Sequence, residues 1–318
     1  MHIELDNREA IYEAILKLRV RGAPAIGIAA AYGLYVCMVN FQEKDKDDFI
    51  HFFRETKEYL NSSRPTAVNL SWALERMEQR FDEAIESSID EIKDVLLQES
   101  QLIFEEDQAM CKAIGEHGLS LLKPNMGLLT HCNTGGIATS GIGTALAPMY
   151  IGLDKGYDFK VYAGETRPLL QGARLTAYEL GKGGVDVTVI CDSMASIVMK
   201  EGKVDAVLVG CDRVAANGDT ANKIGTSGLA ILAKEYGIPM YILSPTSTID
   251  MSTKSGEDIE IELRDPEEIA NGFGKRTAPE GAKFYNPAFD VTDAKYITAI
   301  ITEKGVVYPP FEDNLKKL

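Results

Sequence analysis

Four short apolar runs in this chain end in groups capable of chemistry. The run beginning at Gly127 ends in Thr130-His131-Cys132-Asn133, and later runs end in Glu165-Thr166-Arg167, Cys191-Asp192 and Cys211-Asp212-Arg213. A thiol, carboxylates and guanidinium groups gathered on one rim suit proton transfer or nucleophilic attack on an anionic substrate. After Cys132 comes TGGIATSGIGTA, whose Gly135, Gly136, Gly141 and Gly143 free backbone N–H groups to face an anion at a helix start. A thiol beside a helix start and near arginine is held toward its thiolate, which makes Cys132 the candidate proton-transferring or nucleophilic group. Two plainer readings stand beside this one: a small buried hydrophobe for Cys132, and a tight strand-to-helix turn for the glycines. The spacing is not G-x-G-x-x-G, because Leu146 holds the third glycine's place. Nor is it a Walker loop, which needs Lys-Ser/Thr where Ile142-Gly143 stand, so neither a dinucleotide nor ATP is expected, and no cofactor is assigned.

Cys132, Cys191, Cys211 and His131 have the ligand types of a zinc site. Strand alternation, however, sends Cys191 and Asp192, and likewise Cys211 and Asp212, to opposite faces, and the acids are taken as the rim members. No metal is expected, and His131 is read as a hydrogen-bonded structural histidine. Downstream, Asn217-Gly218 marks a turn, and TANKIGTSGLAILAKEYG reads as a helix whose opening turn presents Asn222 and Lys223. Lys223 there can hold a phosphate or a sugar hydroxyl, or be a solvated surface lysine. Near the N-terminus, Arg21-Gly22-Ala23-Pro24 and Ser63-Arg64-Pro65-Thr66 place arginines just ahead of Pro-initiated helices. Both segments can be helix starts and nothing more, yet Arg21 and Arg64 supply the local positive charge an anionic ligand requires.

These groups need a scaffold, and the chain supplies two periodicities. From Arg8 to about His117 apolar residues recur at helical spacing, as in Ile11, Ile15, Leu18 and Ile85, Ile89, Ile92, Leu96. The acid-rich stretch from Phe81 to Asp107 keeps that spacing and reads as a solvated helix face. From Gly127 the runs GLLTHC, FKVYAGE, DVTVICD, AVLVGCD, PMYILSP and YITAIIT alternate with helical segments. That pattern predicts an α/β fold, a mostly parallel sheet with helices on both faces, whose ligands bind at the carboxyl ends of the strands. Thr166 and Pro168 precede one intervening helix, and Asp192 or Ser193 is placed to cap another. The change of period near residues 118–126 divides the chain into a mainly helical N-terminal domain, 1–120, and a sheet domain, 121–318.

The chain has 318 residues and a formal charge of −15, with 33 Lys and Arg against 48 Asp and Glu. Such a field opposes non-specific binding to nucleic acid or to an anionic membrane. The sequence MHIELDNREA has neither the basic nor the apolar region of a leader, and no apolar run approaches the roughly 20 residues that cross a bilayer, so a cytoplasmic protein is expected. Five scattered cysteines without CxxC spacing read as free thiols.

Read together, RGAPAIGIAAAYG, SRPTAVNLSWAL, THCNTGGIATSGIGTAL, ETRPLLQGARLTAYEL, GCDRVAANGDTANKIGT, PTSTID and NPAFDVTDAKYITAIITEKG resemble the 5-methylthioribose-1-phosphate isomerases of methionine salvage. That family shares a superfamily with ribose-1,5-bisphosphate isomerases and the regulatory subunits of translation initiation factor 2B. The resemblance runs from about Arg21 to Gly305 and implies a helical domain, a Rossmann-like catalytic domain, a homodimer and a metal-free aldose–ketose isomerase. By matching motif it implies Cys132 and Asp212 as catalytic groups. It implies Arg21, Gly22, Ala23, Arg64, Gln171, Asn222 and Lys223 as substrate-binding residues. Gln171 and the reaction itself come from the resemblance alone.

The segment ahead of Arg21 is shorter than the family usually carries, which predicts a missing strand or lid piece. Cys211, Ser227 and Ile142 replace residues common in the family and bear on which sugar 5-substituent is accepted. The implied mechanism begins with protonation of the ring oxygen by Asp212, a carboxyl that an apolar pocket would keep protonated. Cys132 then moves the C2 proton to C1 through a phosphoenolate, with a direct C2-to-C1 hydride shift as the alternative. Isomerisation of 5-deoxyribose 1-phosphate or ribose 1,5-bisphosphate, and a purely regulatory ligand-binding subunit, are the competing functions.

Overall fold

The computed structural model describes residues 3–42, 45–65 and 67–318; Thr66 of the Ser63–Thr66 segment lies outside them. The chain forms two compact units, residues 1–109 with 137–140, and residues 110–136 with 141–318.

The first unit is helical: α1 (Arg8–Leu16), α2 (Ala23–Asn40), α3 (Lys46–Asn61), α4 (Val68–Glu83) and the start of α5 (Ile89–Leu119). Local chemistry fixes the helix starts. Asn7 Oδ1 accepts the Ala10 N–H at 2.9 Å, and Asp45 Oδ1 accepts the Asp47 and Asp48 N–H groups. Ser88 and Glu91 form a reciprocal capping box ahead of α5. Apolar faces then meet in a core of Leu34, Met38, Phe49, Phe53, Leu70, Leu74, Met77, Phe81, Ile92 and Leu96, with the Phe53 and Phe81 rings stacked 3.8 Å apart. Among the described residues α2 is the one helix long and apolar enough to cross a membrane, although no run of that kind was expected; Ile26, Ala30, Ala31, Leu34 and Met38 bury its face in this core. The acid-rich stretch is not wholly solvated either. Glu99 is buried on α5 and pairs with Arg76 and Arg80 of α4, since a buried carboxylate needs such partners.

The second unit holds eleven strands. They are β1 (Gly127–Thr130), β2 (Lys160–Gly164), β3 (Asp186–Ile190), β4 (Ala206–Val209), β5 (Arg213–Ala215) and β6 (Thr220–Lys223), then β7 (Met240–Leu243), β8 (Ile249–Asp250), β9 (Phe289–Thr292), β10 (Ala299–Thr302) and β11 (Gly305–Val307). The main sheet has the order β11-β10-β7-β4-β1-β2-β3, parallel except for the β10–β11 pair, and contains all six strands expected from the sequence. Alternate residues along its strands build two cores. Leu128, Leu208, Leu243 and Ile301 pack with Met149 of α6 (Ala147–Asp154) and Leu180 of α7 (Ala177–Lys182). Leu129, Val207, Ile242 and Ile300 pack with Val198 of α8 (Ala195–Lys200) and Leu229 of α9 (Thr226–Glu235). Helices therefore cover both faces, as near-continuous apolar strands require. Two short helices, α10 (Glu267–Ala270) and α11 (Phe311–Asn314), complete the unit.

A second sheet, β8-β5-β6-β9, was not expected. It contains Asn222 and Lys223 as the end of a strand, which corrects the expected helix opening at those residues. Asn217-Gly218, with Gly218 at φ +90°, makes a hairpin of β5 and β6, and the helix starts only at Thr226, after Gly225 at φ +103°.

Candidate active site

Cys132 lies two residues beyond β1, buried, with φ +62° in the left-handed region that side chains other than glycine rarely enter. Its N–H donates to Thr166 Oγ1 at 2.8 Å, and its carbonyl accepts from Thr176 Oγ1 at 2.6 Å. Next to it, the Asn133 side-chain amide donates to Glu179 Oε1 at 2.7 Å. Thr176 ends a π-helical turn, Gly172–Thr176, that leads into α7; π-turns recur at functional sites. Gln171 stands immediately before that turn, buried, and its Oε1 is one of the enclosed oxygens without a hydrogen-bond partner among the described residues. An enclosed carbonyl oxygen of this kind is suited to receive a donor from a ligand.

The glycine loop differs from the anion cradle read from sequence. Gly136–Ala138 is one 3-10 turn, and α6 begins only at Ala147. Gly135 and Gly143 have packing reasons for lacking a side chain: a Cβ on Gly135 would lie 2.3 Å from Glu179 Oε2, and one on Gly143 would lie 2.2 Å from Thr134 O.

Asp212 follows β4, the strand paired in parallel with β1, so the two strands deliver Cys132 and Asp212 from neighbouring carboxyl ends. Their loops touch, because a Cβ on Gly210 would lie 2.6 Å from Thr134 Cγ2. The Asp212 N–H donates to Ala221 O at 2.9 Å, which fastens Asp212 to β6 and its last two residues, Asn222 and Lys223. Asn222 Nδ2 donates to Thr226 Oγ1 at 3.0 Å, while Lys223 Nζ donates to Ala288 O at 3.0 Å and sits 4.2 Å from the Phe289 ring centroid. Lys223 is thus a positioned cation rather than a solvated one.

His131 faces the start of α9, where a Cβ on Gly225 would lie 3.2 Å from its ring. Its Nε2–H donates to Ile224 O at 2.8 Å, and Asp192 Oδ1 lies 3.9 Å from Nδ1. Burial pushes the imidazole below its ordinary pKa and outweighs the carboxylate, so the ring is neutral at pH 7. It lines a cavity of about 340 Å³ with Asp192, Gly225 and Ile231. The thiol of Cys211 faces Thr248, and desolvation pushes it up to about 12. Among the described residues no three His, Cys, Asp or Glu side chains are grouped to hold a metal ion.

The remaining sequence-derived residues belong to the helical unit. Gly22, at φ +95°, precedes Ala23 and Pro24 in the first turn of α2, and a Cβ there would lie 2.5 Å from Ala138. Arg64 opens the turn closed by Ala67 N–H to Arg64 O, just ahead of α4. Gly27 lies against Asn69 O, where a Cβ would approach to 2.6 Å, so the helices that follow Arg21 and Arg64 meet near their N-termini. Two helix N-termini brought together in this way suit an anion, and Arg21 and Arg64 precede them in the chain. Sequence reasoning took Asp192 as a rim member and read Thr166 only as a residue ahead of a helix; it missed Thr176 and Glu179, which lie in the helical segment after β2 and carry no strand-end signal.

Residues 19–309 match the initiation factor 2 subunit family. The chain is 71% identical to a 5-deoxyribose 1-phosphate isomerase of Petrotoga mobilis, over 99% of this chain and 91% of that one. It is 62% identical to a methylthioribose-1-phosphate isomerase of Symbiobacterium thermophilum, over 100% of this chain and 89% of that one. Its fold superposes on the crystal structure of 5-methylthioribose 1-phosphate isomerase from Pyrococcus horikoshii with a TM-score of 0.91 at 48% identity, covering 98% of this chain and 87% of that one. With catalytic-type residues at adjoining strand ends and these relatives over nearly its whole length, the chain belongs to the initiation factor 2 subunit family and is one of its sugar-phosphate isomerases.

Proposed function

We propose that the chain converts a ribose 1-phosphate with a small apolar 5-substituent into the corresponding ribulose 1-phosphate. The observation that carries this reading is the delivery of Cys132 and Asp212 from neighbouring parallel strands, β1 and β4, with Cys132 held in a left-handed conformation. Because the anomeric oxygen carries phosphate, the ring cannot open by simple mutarotation; Asp212 supplies the proton to the ring oxygen. Cys132, as thiolate, then takes the C2 proton and returns it to C1, while the C2 hydroxyl gives up its proton to return Asp212 to its acid form, leaving a carbonyl at C2 and a CH2-phosphate at C1. Each positioned acid or base is worth roughly 10²–10⁴-fold. Arg21, Gly22, Ala23 and Arg64 of the helical domain (1–120) are the proposed phosphate and sugar contacts, together with Gln171, Asn222 and Lys223 of the catalytic domain (121–318). We take the enzyme to be a cytoplasmic homodimer that needs no cofactor.

The relative at 71% identity favours 5-deoxyribose 1-phosphate as the substrate, the reverse of the order suggested by the motifs, which put the methylthio sugar and methionine salvage first. A side-by-side measurement of kcat/KM for the two sugars and ribose 1,5-bisphosphate, with Asp212→Asn as control, tests both parts. Preference for the deoxy sugar with loss of turnover in Asp212→Asn supports the proposal. Preference for the methylthio sugar returns the enzyme to methionine salvage, and no turnover of any of the three favours the regulatory-subunit reading.

A further inference from the structure

The backbone of Cys132 is fixed by a chain of bonds that crosses three adjacent strand ends. Its N–H donates to the hydroxyl of Thr166, which is wholly buried and itself stands at φ +65°, unusual for a β-branched residue. Thr166 Oγ1 donates onward to Gly164 O at 3.0 Å. The N–H groups of Thr166 and Arg167 donate to the two oxygens of Asp192 at 2.8 and 2.7 Å. Asp192 lies two residues beyond β3, so its carboxylate ties the end of that strand to the turn after β2, and Thr166 ties that turn to the cysteine after β1. The expected role of Asp192 as a helix cap is not what this carboxylate does; the helix after it has no side-chain cap.

Left-handed residues other than glycine persist only where their surroundings over-determine them. The direction of a thiol follows its backbone, and a reacting atom displaced by about 1 Å loses on the order of 100-fold in rate. We propose that Thr166, anchored by Asp192, is a positioning residue that holds the Cys132 backbone, and with it the direction of the thiol, for hydrogen transfer. The proposal rests on the reading of Cys132 as the proton-transferring group.

The experiment is steady-state turnover of 5-deoxyribose 1-phosphate by the full chain and by Thr166→Val, Thr166→Ser, Asp192→Asn and Cys132→Ala. Valine keeps the shape of threonine but offers the Cys132 N–H no acceptor. Thr166→Val should lose about 30- to 100-fold in kcat with KM within about threefold, while Thr166→Ser, which keeps the oxygen, recovers to within about fivefold of wild type. Asp192→Asn, at a partly exposed side chain that can be changed without opening the core, should lose about 10-fold in kcat and decides the matter if the valine variant does not fold. Valine within about threefold of wild type, serine and valine falling alike, or KM rising in step with the loss of kcat would each overturn the proposal. Cys132→Ala separates the two levels: if it retains turnover, the reading of Cys132 fails, whereas if it is dead while Thr166→Val is not, only the positioning role fails.

Discussion

Replacing Gly172 by alanine adds one methyl group at the most crowded point behind the proposed site. The new Cβ would lie 1.8 Å from Gly164 O and 3.0 Å from Thr166 Oγ1, where ordinary contact begins at 3.4 Å. The π-turn and the end of β2 must therefore part by about 1.6 Å, and neither is the tip of a flexible side chain. Overpacking of this kind costs roughly 1–3 kcal/mol. The separation also strains the Thr166 and Thr176 hydrogen bonds to Cys132, each worth about 0.5–1.5 kcal/mol. A loss of about 2–4 kcal/mol is expected, seen as a fall in thermal midpoint of roughly 5–10 °C, with kcat/KM down on the order of 100-fold. Gly228, inside α9 with nothing within 4 Å of a Cβ, is the internal control. Alanine there should leave the midpoint unchanged or raise it, by up to about 1 kcal/mol of helix propensity. Calorimetry of the two variants with turnover of 5-deoxyribose 1-phosphate decides the matter. If Gly172→Ala unfolds within about 0.5 kcal/mol of wild type and turns over normally, the reasoning from backbone crowding is refuted.

Stability should also depend on pH through His131. Burial holds its folded pKa below the ordinary 6.5, so the unfolded chain takes up a proton that the folded chain refuses. Its contribution is fully present above about pH 6.5 and shrinks as pH falls toward the folded pKa, by up to about 1.4 kcal/mol per unit; His131→Gln should flatten that slope between pH 6.5 and 5, and an unchanged slope would exclude the assignment. Asp290 accepts from the Gly225 and Ser227 N–H groups at the start of α9, so Asp290→Ala should cost about 1–2 kcal/mol in denaturant titrations. In the helical unit, Arg76→Met strips one partner from buried Glu99 and leaves Arg80; a loss of roughly 1–3 kcal/mol is expected, and a neutral result would mean that Arg80 alone suffices.

The six expected strands, four or five residues each, were legible as apolar runs bounded by turn residues, and the helices before them as apolar recurrence at helical spacing, since both patterns report burial. The second sheet was not, because β5 has three residues and β8 only two, too few to show a period. Asn222 and Lys223 were singled out for their chemistry but assigned to a helix, since the apolar spacing of α9 was extended backward past Gly225. Thr166 was noticed as a residue near a helix start, where such side chains commonly cap, and Asp192 both as a candidate cap and as a member of the rim. Their hydrogen bonds instead reach residues 34 and 26 positions away in the chain, which no local pattern encodes. Gln171 has no signal of its own in the sequence, and only the resemblance pointed to it.

Asp212 occupies the short passage between β4 of the large sheet and β5 of the small one, with its own amide bonded to β6. A residue at such a joint is difficult to shift by substitutions elsewhere, because moving it means sliding one sheet against the other. In descendants of a chain built this way, the proposed catalysis should disappear abruptly, by replacement of Asp212 itself. Preference for one sugar over another should drift gradually, through side chains not stitched to both sheets. A fold with that asymmetry can give rise to lineages that keep the ligand pocket and abandon the reaction.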